Sequence, residues 1–287
     1  MEKMKKIGII LVNYNGLDDT IECINSINKS DYDNYEIIVI DNNSREDATI
    51  LSNYNHVIYK KLQDNVGFGV ANNIGADMAV KNNCELIMCL NNDTVILPDT
   101  LQKLSKHTNN STITTGAIYY YYDKGKLWYG GGKVSKIKGI FRHEKYKGSR
   151  KVSFISGCCI MLTADCFKKI GLFDAAYFMY YEDSDFSIKA IRNGYTLLYV
   201  YEARVYHKVG KSSRKISGLK DYYLTRNRLY ILKKYHYFFK NTAFAYFYIT
   251  RFLVCLKRKV SREDISYILK GIEDYKKGIT GRNDGIN

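Results

Sequence analysis

The sequence predicts an α/β fold, with a mixed, mostly parallel sheet flanked by helices. Short apolar runs that fit buried strands alternate with amphipathic stretches that fit helices over the first 97 residues. Polar side chains directly follow three of the apolar runs, where the carboxyl ends of parallel strands bind ligands. At 287 residues, 46% of them hydrophobic, the chain is long enough to bury a sizeable core.

The first half of the chain is typical of repeated βαβ units. Stretches 17–28 and 70–81 place apolar residues at helical spacing. The runs of strand length that alternate with these helices are residues 7–12, 36–40, 57–62 and 86–90. Because connections between parallel strands are right-handed, these elements predict one parallel sheet.

The polar residues behind these strands indicate a ligand site. Asn13, Asp41 and Asp93 each follow the carboxyl end of a strand, so they meet at one edge of the sheet. Asn91-Asn92-Asp93 also fits a simple turn, since these residue types favour turns. Three polar strand ends together favour the ligand site, with Asp93 as a candidate metal-binding carboxylate.

The glycine pattern narrows the kind of nucleotide site. No G-x-G-x-x-G turn and no Walker loop follows the first strand. Gly67-Phe68-Gly69 opens a helix whose N-terminus suits an anion, but a lone G-x-G is a weak signal. A pyrophosphate therefore needs another neutralising group, and a divalent cation on Asp93 is the simplest one.

An acidic segment in the second half is the other candidate site. Glu182, Asp183 and Asp185 crowd the start of a helix predicted to end at residue 193. One carboxylate suffices to cap a helix, whereas three beside an aromatic run favour a further role as general base. His207 follows a later strand and is a candidate second ligand to the cation.

The second half also contains β-structure. The apolar and aromatic patterns predict strands over 112–122, 152–162 and 195–200, and a hairpin within 126–141.

Composition limits the partners and the compartment. The chain has 44 Lys and Arg against 29 Asp and Glu, a net charge of +15 that suggests an acidic partner. No nucleic-acid-binding motif appears, so a nucleic-acid partner is not expected. Seven cysteines without a CxxC pair indicate buried thiols in a reducing compartment. With no signal peptide and no membrane-spanning run, we expect a cytoplasmic protein, peripheral on the inner face of the membrane.

The last part of the chain differs in character. Residues 214–287 read as helical, and the aromatic, apolar stretch 243–256 precedes the basic run 257–259. This pattern predicts a helix on the membrane surface, while a core helix with a solvated basic end is the alternative. We therefore expect a domain over 1–213, with a nucleotide half ending near residue 97, and a helical appendage after it.

These residues resemble the family 2 glycosyltransferases, especially the rhamnosyltransferase-like branch of bacterial polysaccharide synthesis. The resemblance covers nearly the whole chain, and the order and spacing of its pieces make it specific. The matching pieces are Val12-Asn-Tyr-Asn-Gly16, Val39-Ile-Asp-Asn-Asn-Ser44, Asn65-Val-Gly-Phe68, Asn72-Asn-Ile-Gly75, Leu90-Asn-Asn-Asp-Thr94, Ser156-Gly157, Gly171-Leu-Phe-Asp174, Phe178-Met-Tyr-Tyr-Glu-Asp-Ser-Asp185 and Val205-Tyr-His207.

The resemblance implies a GT-A-type nucleotide-diphospho-sugar transferase fold, with a nucleotide-sugar half over about 1–97 and an acceptor half over about 98–213, and sugar transfer with inversion. It implies that Asp183 is the base, with Glu182 and Asp185 as neighbours, and that Asp93 and His207 hold Mn²⁺ or Mg²⁺. The nucleotide-sugar residues it implies are Asn13, Tyr14, Asp41, Asn43, Asn65, Gly67, Asn72, Asn73, Asn92 and Asp93, with Asp41 on the N–H of the pyrimidine. The acceptor residues are Gly157, Tyr181 and Trp128.

Three functions compete at this point. The first is a metal-dependent inverting glycosyltransferase that uses dTDP-rhamnose or a UDP-hexose and a lipid-linked or polysaccharide acceptor. The second is a sugar nucleotidyltransferase, although such enzymes tend to carry a glycine-rich basic loop that Asn13–Gly16 lacks. The third is a non-catalytic basic protein that binds a membrane surface.

Overall fold

The computed structural model describes residues 4–209, 217–235, 238–256 and 262–286. Its strands are β1 (Ile7–Asn13), β2 (Tyr35–Asp41), β3 (Val57–Lys61), β4 (Leu86–Leu90), β5 (Thr94–Ile96), β6 (Thr112–Tyr120), β7 (Asp123–Tyr129), β8 (Gly132–Ser135), β9 (Ile140–His143), β10 (Arg150–Val152), β11 (Cys159–Thr163) and β12 (Thr196–His207). Its α-helices are α1 (Leu17–Ile27), α2 (Phe68–Lys81), α3 (Thr100–His107), α4 (Ala164–Ile170), α5 (Glu182–Arg192), α6 (Ser217–Lys234), α7 (Lys240–Leu256) and α8 (Arg262–Lys277). A short 3₁₀ helix spans Thr49–Asn53.

One mixed sheet organises the molecule. Its main path runs β10-β12-β6-β11-β4-β1-β2-β3, with β5 beside β12 and β7 beside β6. The strands β4, β1, β2 and β3 are parallel, as helical crossovers require, and β12 runs parallel to β6. Strand β11 runs antiparallel to its neighbour β4, which makes the sheet mixed. The predicted α/β class and mostly parallel sheet are confirmed.

The alternation of side chains along β1 divides the core into two layers. Ile9 and Leu11 belong to the cluster that contains Ile24 of α1, whereas Ile10 packs in the cluster that contains Ala76 of α2. All five side chains are fully buried. The sheet is therefore covered on both faces, which explains why its central strands are continuous apolar runs.

Two predictions about the second half are wrong. Residues 152–162 do not form one strand, because Val152 pairs with Leu197 in β10 whereas Cys159 pairs with Leu90 in β11. The residues between them leave the sheet and form the turn that carries Gly157. The strand predicted to end at Val200 instead continues to His207, across a shift in register. The predicted hairpin is confirmed as the pair β8 and β9.

Three helices follow the sheet. Helix α6 packs against α8, and Leu229 of α6 joins Tyr177 and Ile188 in a third apolar cluster. No helix in the described ranges is both long enough and apolar enough to cross a membrane. The predicted boundary near residue 213 and the basic run 257–259 lie outside the described residues. The division into domains therefore stays a prediction.

Candidate active site

The ends of β1 and β2 are joined by buried hydrogen bonds. Asn13 donates its amide Nδ2 to Asp41 Oδ2 at 2.7 Å and to Ser44 Oγ at 3.2 Å. Thr20 donates its hydroxyl to Asn13 Oδ1 at 3.0 Å, and the N–H of Ser44 donates to Asp41 Oδ1 at 2.8 Å. Asn13 and Asp41 are fully buried. These contacts hold the two strand ends and the turn after β2 in fixed positions.

These hydrogen bonds determine which side chains after β1 and β2 are free to contact a nucleotide. Both carboxylate oxygens of Asp41 accept bonds from the protein, and the predicted contact with the base stays a prediction. Tyr14 is 48% exposed at the same edge of the sheet. Asn43 is exposed and has a left-handed backbone, with φ of 65°. Tyr14 and Asn43 are therefore the members of this group that are open to a ligand.

Asn42, which the sequence reasoning missed, anchors the glycine loop. Its Nδ2 donates to Asn65 Oδ1 at 2.9 Å, and its Oδ1 accepts from the N–H of Val66 at 2.9 Å. Asn65 Oδ1 also accepts from the N–H of Gly67 at 3.0 Å. Asn42 is 3% exposed. Its place in the polar run behind β2 was the available signal.

Gly67 brings this loop against the acidic segment. Its φ is +84°, and a Cβ added there would lie 2.4 Å from the carbonyl oxygen of Phe178. The next N–H, that of Phe68, donates to the same oxygen at 3.2 Å. Only glycine combines this backbone conformation with so close an approach.

We expect Gly67→Ala to lower the free energy of unfolding by about 3 kcal/mol, because backbone strain and a clash add together. Urea denaturation measures the loss. Gly148→Ala is the matched control, since Gly148 has φ of +94° but nothing within 4 Å of an added Cβ. That control should lose about 1 kcal/mol. Equal losses in the two variants would show that the contact with Phe178 contributes nothing.

The amides of α2 are engaged within the protein. Asn73 Nδ2 donates to the carbonyl of Phe173 at 2.8 Å, and the N–H of Phe173 donates back to Asn73 Oδ1 at 3.0 Å. Asn72 Nδ2 donates to the carbonyl of Phe68 at 2.9 Å. Asn73 thus ties α2 to the segment that leads into the acidic helix. The predicted nucleotide contacts of Asn72 and Asn73 stay predictions.

Asp93 and His207 meet at the end of the sheet. His207 Nε2 lies 3.1 Å from Asp93 Oδ1, and β12 pairs with β5 so that His207 is opposite Thr94. Apart from this approach of Nε2 to Oδ1, the buried atoms Asp93 Oδ1 and His207 Nδ1 have no hydrogen-bond partner among the described residues. The ring of Trp128 meets the imidazole edge-on at 4.9 Å. Asn92, beside Asp93, donates to Thr20 Oγ1 at 2.8 Å.

This pair fits part of a cation site. A carboxylate oxygen and an imidazole nitrogen are donors that Mn²⁺ accepts, and a carboxylate also suits Mg²⁺. The described part of the chain contains no group of three or more His, Cys, Asp or Glu side chains that could hold a metal. A cation here would therefore need further ligands from a bound molecule, such as the oxygens of a diphosphate.

The acidic helix α5 starts from a strained turn. Tyr180 and Tyr181 both have a left-handed backbone, with φ of 65° and 75°. Such residues cost roughly 1–3 kcal/mol each and persist where their surroundings hold them. Asn227 of α6 supplies that hold, donating its Nδ2 to the carbonyls of Met179 at 2.8 Å and Tyr180 at 2.9 Å. Asn227 lay outside the sequence reasoning, since only the folded chain brings α6 to this turn.

Asp183 points to the turn between β10 and β11. Its Oδ2 accepts from the N–H of Gly157 at 3.0 Å. The carbonyl of Cys158, the next residue, accepts from the N–H of Asn91 at 2.9 Å. Negative charge on Asp93 and on Asp183 contributes, after burial, to raising the pKa of the Cys158 thiol. Asp93 and Asp183 are therefore both close to this turn.

Glu182 is buried, and Asp183, directly after it, is half-buried. Burial, followed by the charge of Asp183, raises the pKa of Glu182 to about 8. Burial also raises the pKa of Asp183, against the opposing N–H of Gly157 and hydroxyl of Ser184. A carboxylate with a raised pKa is a stronger base, which suits proton abstraction near neutral pH.

The raised pKa of Glu182 predicts a pH dependence of stability. The folded state binds this proton more tightly than the unfolded state, whose pKa is near 4.5. Its stabilising contribution is complete below about pH 4.5 and is lost as the pH rises through 8. Glu182→Gln stays neutral, so its free energy of unfolding should lack this decline. Urea titrations from pH 4.5 to 9 test it, and parallel curves for the two proteins would contradict it.

Asp185 faces the C-terminal helices. Its Oδ1 accepts from Lys234 Nζ at 2.6 Å and from the hydroxyl of Tyr177 at 3.2 Å, and the residue is fully buried. Lys234 also bonds Asp174 at 2.6 Å. These ion pairs fasten α5 to α6. A catalytic role for Asp185 stays a prediction, while its observed contacts are structural.

The predicted acceptor residues are divided between two places. Gly157 and Trp128 contact Asp183 and His207 respectively, so both adjoin the site. Tyr181 packs its ring near Phe141, with centroids 6.0 Å apart. The acceptor roles of these three residues stay predictions.

Lys208, directly after His207, is a further residue that the sequence reasoning missed. Its side chain is 5% exposed, and its ammonium contacts Asp19 at 2.5 Å and also contacts Glu22. Its N–H donates to the carbonyl of Asp93 at 3.0 Å. These contacts hold the end of β12 against α1 and so position His207. Its place beside His207 was the one available signal.

Comparisons with known proteins identify the family and the fold of the chain. The family model described as Glycosyl transferase family 2 matches residues 8–171. The chain is 25% identical over 275 residues to the dTDP-rhamnosyl transferase RfbF of Shigella flexneri, covering 86% of this chain and 88% of that one. Its fold is similar to S. aureus TarS 1-349, with a TM-score of 0.61 and 17% identity over 96% of this chain and 81% of that one. GalNAc-T7 with UDP, GalNAc and Mn²⁺ gives a TM-score of 0.62 and 18% identity over 79% of this chain and 52% of that one.

Proposed function

Because the chain belongs to glycosyl transferase family 2, we propose that it is an inverting enzyme of surface-polysaccharide synthesis. It is a glycosyltransferase that uses a nucleotide-sugar donor. We assign to it the transfer of one sugar to a hydroxyl of a lipid-linked or growing polysaccharide acceptor. The observation that carries this proposal is a chain of contacts: Asp183 bonds the Gly157 turn, and the next residue of that turn bonds Asn91, which leads to Asp93 and its partner His207.

Asp183 is the proposed general base. Its carboxylate takes the proton of the acceptor hydroxyl while that oxygen attacks the anomeric carbon of the donor. The bond from that carbon to the diphosphate oxygen breaks, and the nucleoside diphosphate leaves with the electron pair. One in-line displacement inverts the anomeric carbon and needs no protein nucleophile. The N–H of Gly157 orients the carboxylate for this step.

Asp93 and His207 are the residues that would hold a divalent cation. The cation would neutralise the negative charge that builds on the leaving diphosphate. Lys208 anchors the end of β12 to α1, and the ring of Trp128 meets the imidazole of His207 edge-on. The Mn²⁺ named with GalNAc-T7, a protein of similar fold, supports this choice of ion.

The similarity to a dTDP-rhamnosyl transferase favours dTDP-rhamnose as the donor. Thymine and uracil share the imide N–H that a carboxylate recognises, so UDP-hexoses belong in the same test. We expect release of dTDP or UDP, in the presence of Mn²⁺ and a lipid-linked acceptor, for one member of a panel of nucleotide sugars. The product should have the inverted anomeric configuration by NMR. Formation of a nucleotide sugar from a nucleoside triphosphate and a sugar 1-phosphate, with release of pyrophosphate, would instead support a nucleotidyltransferase.

Helix α7 supports attachment to a membrane surface. Ile249, Phe252, Leu253 and Leu256 recur at spacings of three and four residues, so they share one face of the helix. Their side chains are between 45% and 63% exposed. An apolar helical face on a protein with net charge +15 suits the surface of an anionic bilayer.

We expect Phe252→Glu to reduce co-sedimentation with vesicles containing phosphatidylglycerol by about tenfold, because it removes an apolar anchor and adds a repelled charge. Ile50→Glu is the control, since Ile50 is 52% exposed on the short 3₁₀ helix. The control should bind like the unmodified protein. Equal binding by all three proteins would remove α7 from the proposed membrane contact.

A further inference from the structure

A cavity of about 290 Å³ lies between α6, the end of α8 and the segment before the acidic helix. Its wall includes the basic side chains of Arg226, Lys233 and Lys234 and the rings of Tyr230 and Tyr275. The proposed sugar-transfer step uses none of these five side chains. The cavity is large enough for a phosphate group together with part of the molecule that carries it.

The charge of Arg226 is the notable feature of this cavity. The side chain is 1% exposed, yet in the described part of the chain no carboxylate lies within ion-pairing distance of it. Its Nε donates to Asn227 Oδ1 at 3.0 Å and its Nη1 to the hydroxyl of Tyr222 at 3.3 Å. Its Nη2 has no hydrogen-bond partner among the described residues. The guanidinium carbon lies 5.3 Å and 4.9 Å from the ring centroids of Tyr222 and Tyr223, which offsets part of the cost of burying the charge. The N–H groups of Nη2 still lack an acceptor, which an anion in the cavity would supply.

The neighbouring charges indicate which kind of anion the cavity would bind. Lys234 is matched by Asp174 and Asp185, so it adds little to the field of the cavity. Lys233 is exposed at the cavity wall and contacts the ring of Tyr275, with no carboxylate partner among the described residues. Arg226 and Lys233 therefore contribute two positive charges. A phosphate monoester carries nearly two negative charges at pH 7 and offers several acceptor oxygens, which suits these two donors.

Hydrogen bonds connect this cavity to the start of the acidic helix. Arg226 bonds Asn227, and Asn227 bonds the carbonyls of Met179 and Tyr180. The left-handed residues of that turn directly precede Glu182 and Asp183. An anion that fixes the guanidinium also fixes Asn227, and Asn227 holds the strained turn.

We propose that this cavity is a binding site for a phosphate monoester, with Arg226 and Lys233 as its ligands, and that its occupation orders the turn before Asp183. The contacts that support this phosphate site lie outside the sugar-transfer centre. If the phosphate site were disproved, the proposed function would therefore be unaffected. The phosphate belongs either to a small soluble molecule or to a lipid headgroup.

Calorimetric titration with inorganic phosphate in EDTA tests the site itself, since the chelator removes any cation at Asp93 and His207. We expect saturable binding that Lys233→Ala weakens at least about tenfold, the effect of losing one charge-assisted contact. Lys276→Ala is the matched control, because Lys276 is exposed on α8 and outside the cavity wall. It should change the affinity less than twofold. Arg226→Gln should abolish binding, and because it could impair folding, the Lys233 variant decides the test alone.

Hydrogen exchange tests the link to the acidic helix. Phosphate should slow exchange of the amides in residues 178–186 of the unmodified protein and leave that segment unchanged in Lys233→Ala. Co-sedimentation with vesicles that contain or lack phosphatidic acid distinguishes the two sources of the phosphate. If the ligand is a lipid headgroup, Lys233→Ala should bind vesicles with phosphatidic acid more weakly than Lys276→Ala does. The two variants should bind vesicles without phosphatidic acid equally. Absence of saturable phosphate binding, or equal losses in the two lysine variants, would overturn the site. Binding without slower exchange would overturn the link.

Discussion

Asp183→Asn should lower the rate of sugar transfer by about 10²–10⁴-fold while leaving donor affinity nearly unchanged. The asparagine amide cannot take the proton of the acceptor hydroxyl. Its oxygen still accepts from the N–H of Gly157, so the turn and the helix keep their positions. Initial rates with donor and acceptor, together with calorimetric titration of the donor in Mn²⁺, measure both quantities.

Asp185→Asn is the matched control for this prediction. It makes the same chemical change two residues along the same helix, but it weakens the ion pair with Lys234. We expect a lower free energy of unfolding and a transfer rate within about tenfold of the original, provided both are measured well below the melting temperature. A full transfer rate in Asp183→Asn, or a loss in Asp185→Asn as large as that in Asp183→Asn, would reject Asp183 as the base.

Asp93→Ala should weaken donor binding in Mn²⁺ by more than about 100-fold, since loss of even an outer-shell partner costs 10–100-fold in metal affinity or activity. In EDTA the same substitution should change donor binding little. His207→Ala should also weaken donor binding in Mn²⁺, because the imidazole that it removes lies 3.1 Å from Asp93 Oδ1. Titrations of the donor with Mn²⁺ and with EDTA measure the metal-dependent part directly.

The double variant distinguishes a shared cation from two separate effects. If Asp93 and His207 hold one ion, removing both should cost much less than the sum of the two single losses, because the first loss already releases the ion. Additive losses would place the two residues in independent roles. His143→Ala is a useful control, since His143 contacts Trp128 at 4.5 Å but has no contact with Asp93 in the described structure. Its donor affinity should keep its dependence on Mn²⁺.

The residues at the strand ends show how much of the site could be predicted from the sequence. Buried apolar runs followed by Asn13, Asp41 and Asp93 predicted a sheet edge, and all three residues do end or follow parallel strands. The use of each side chain was not predictable in the same way. Asp41 is enclosed by Asn13 and Ser44, and that enclosure depends on which strands are neighbours in the sheet.

The acidic helix gives the complementary case. Three carboxylates within four residues marked the segment, but the sequence could not say which of them faces the site. Asp183 and Asp185 are two positions apart, which is roughly 200° around an α-helix, so their side chains lie on opposite faces and contact different elements. One meets the Gly157 turn and the other meets Lys234 of α6.

By itself the sequence determined the α/β class, the carboxylates and imidazole available for chemistry, and the family to which the chain belongs. Local apolar patterns and residue types carry that information because each depends on only a few neighbouring residues. Tertiary structure alone decided that His207 meets Asp93 across 114 positions and that Asn227 holds the turn before Asp183. It also decided that Arg226 is buried with no carboxylate partner among the residues that the structure describes. Such contacts depend on strand order and helix packing, which join residues far apart in the chain.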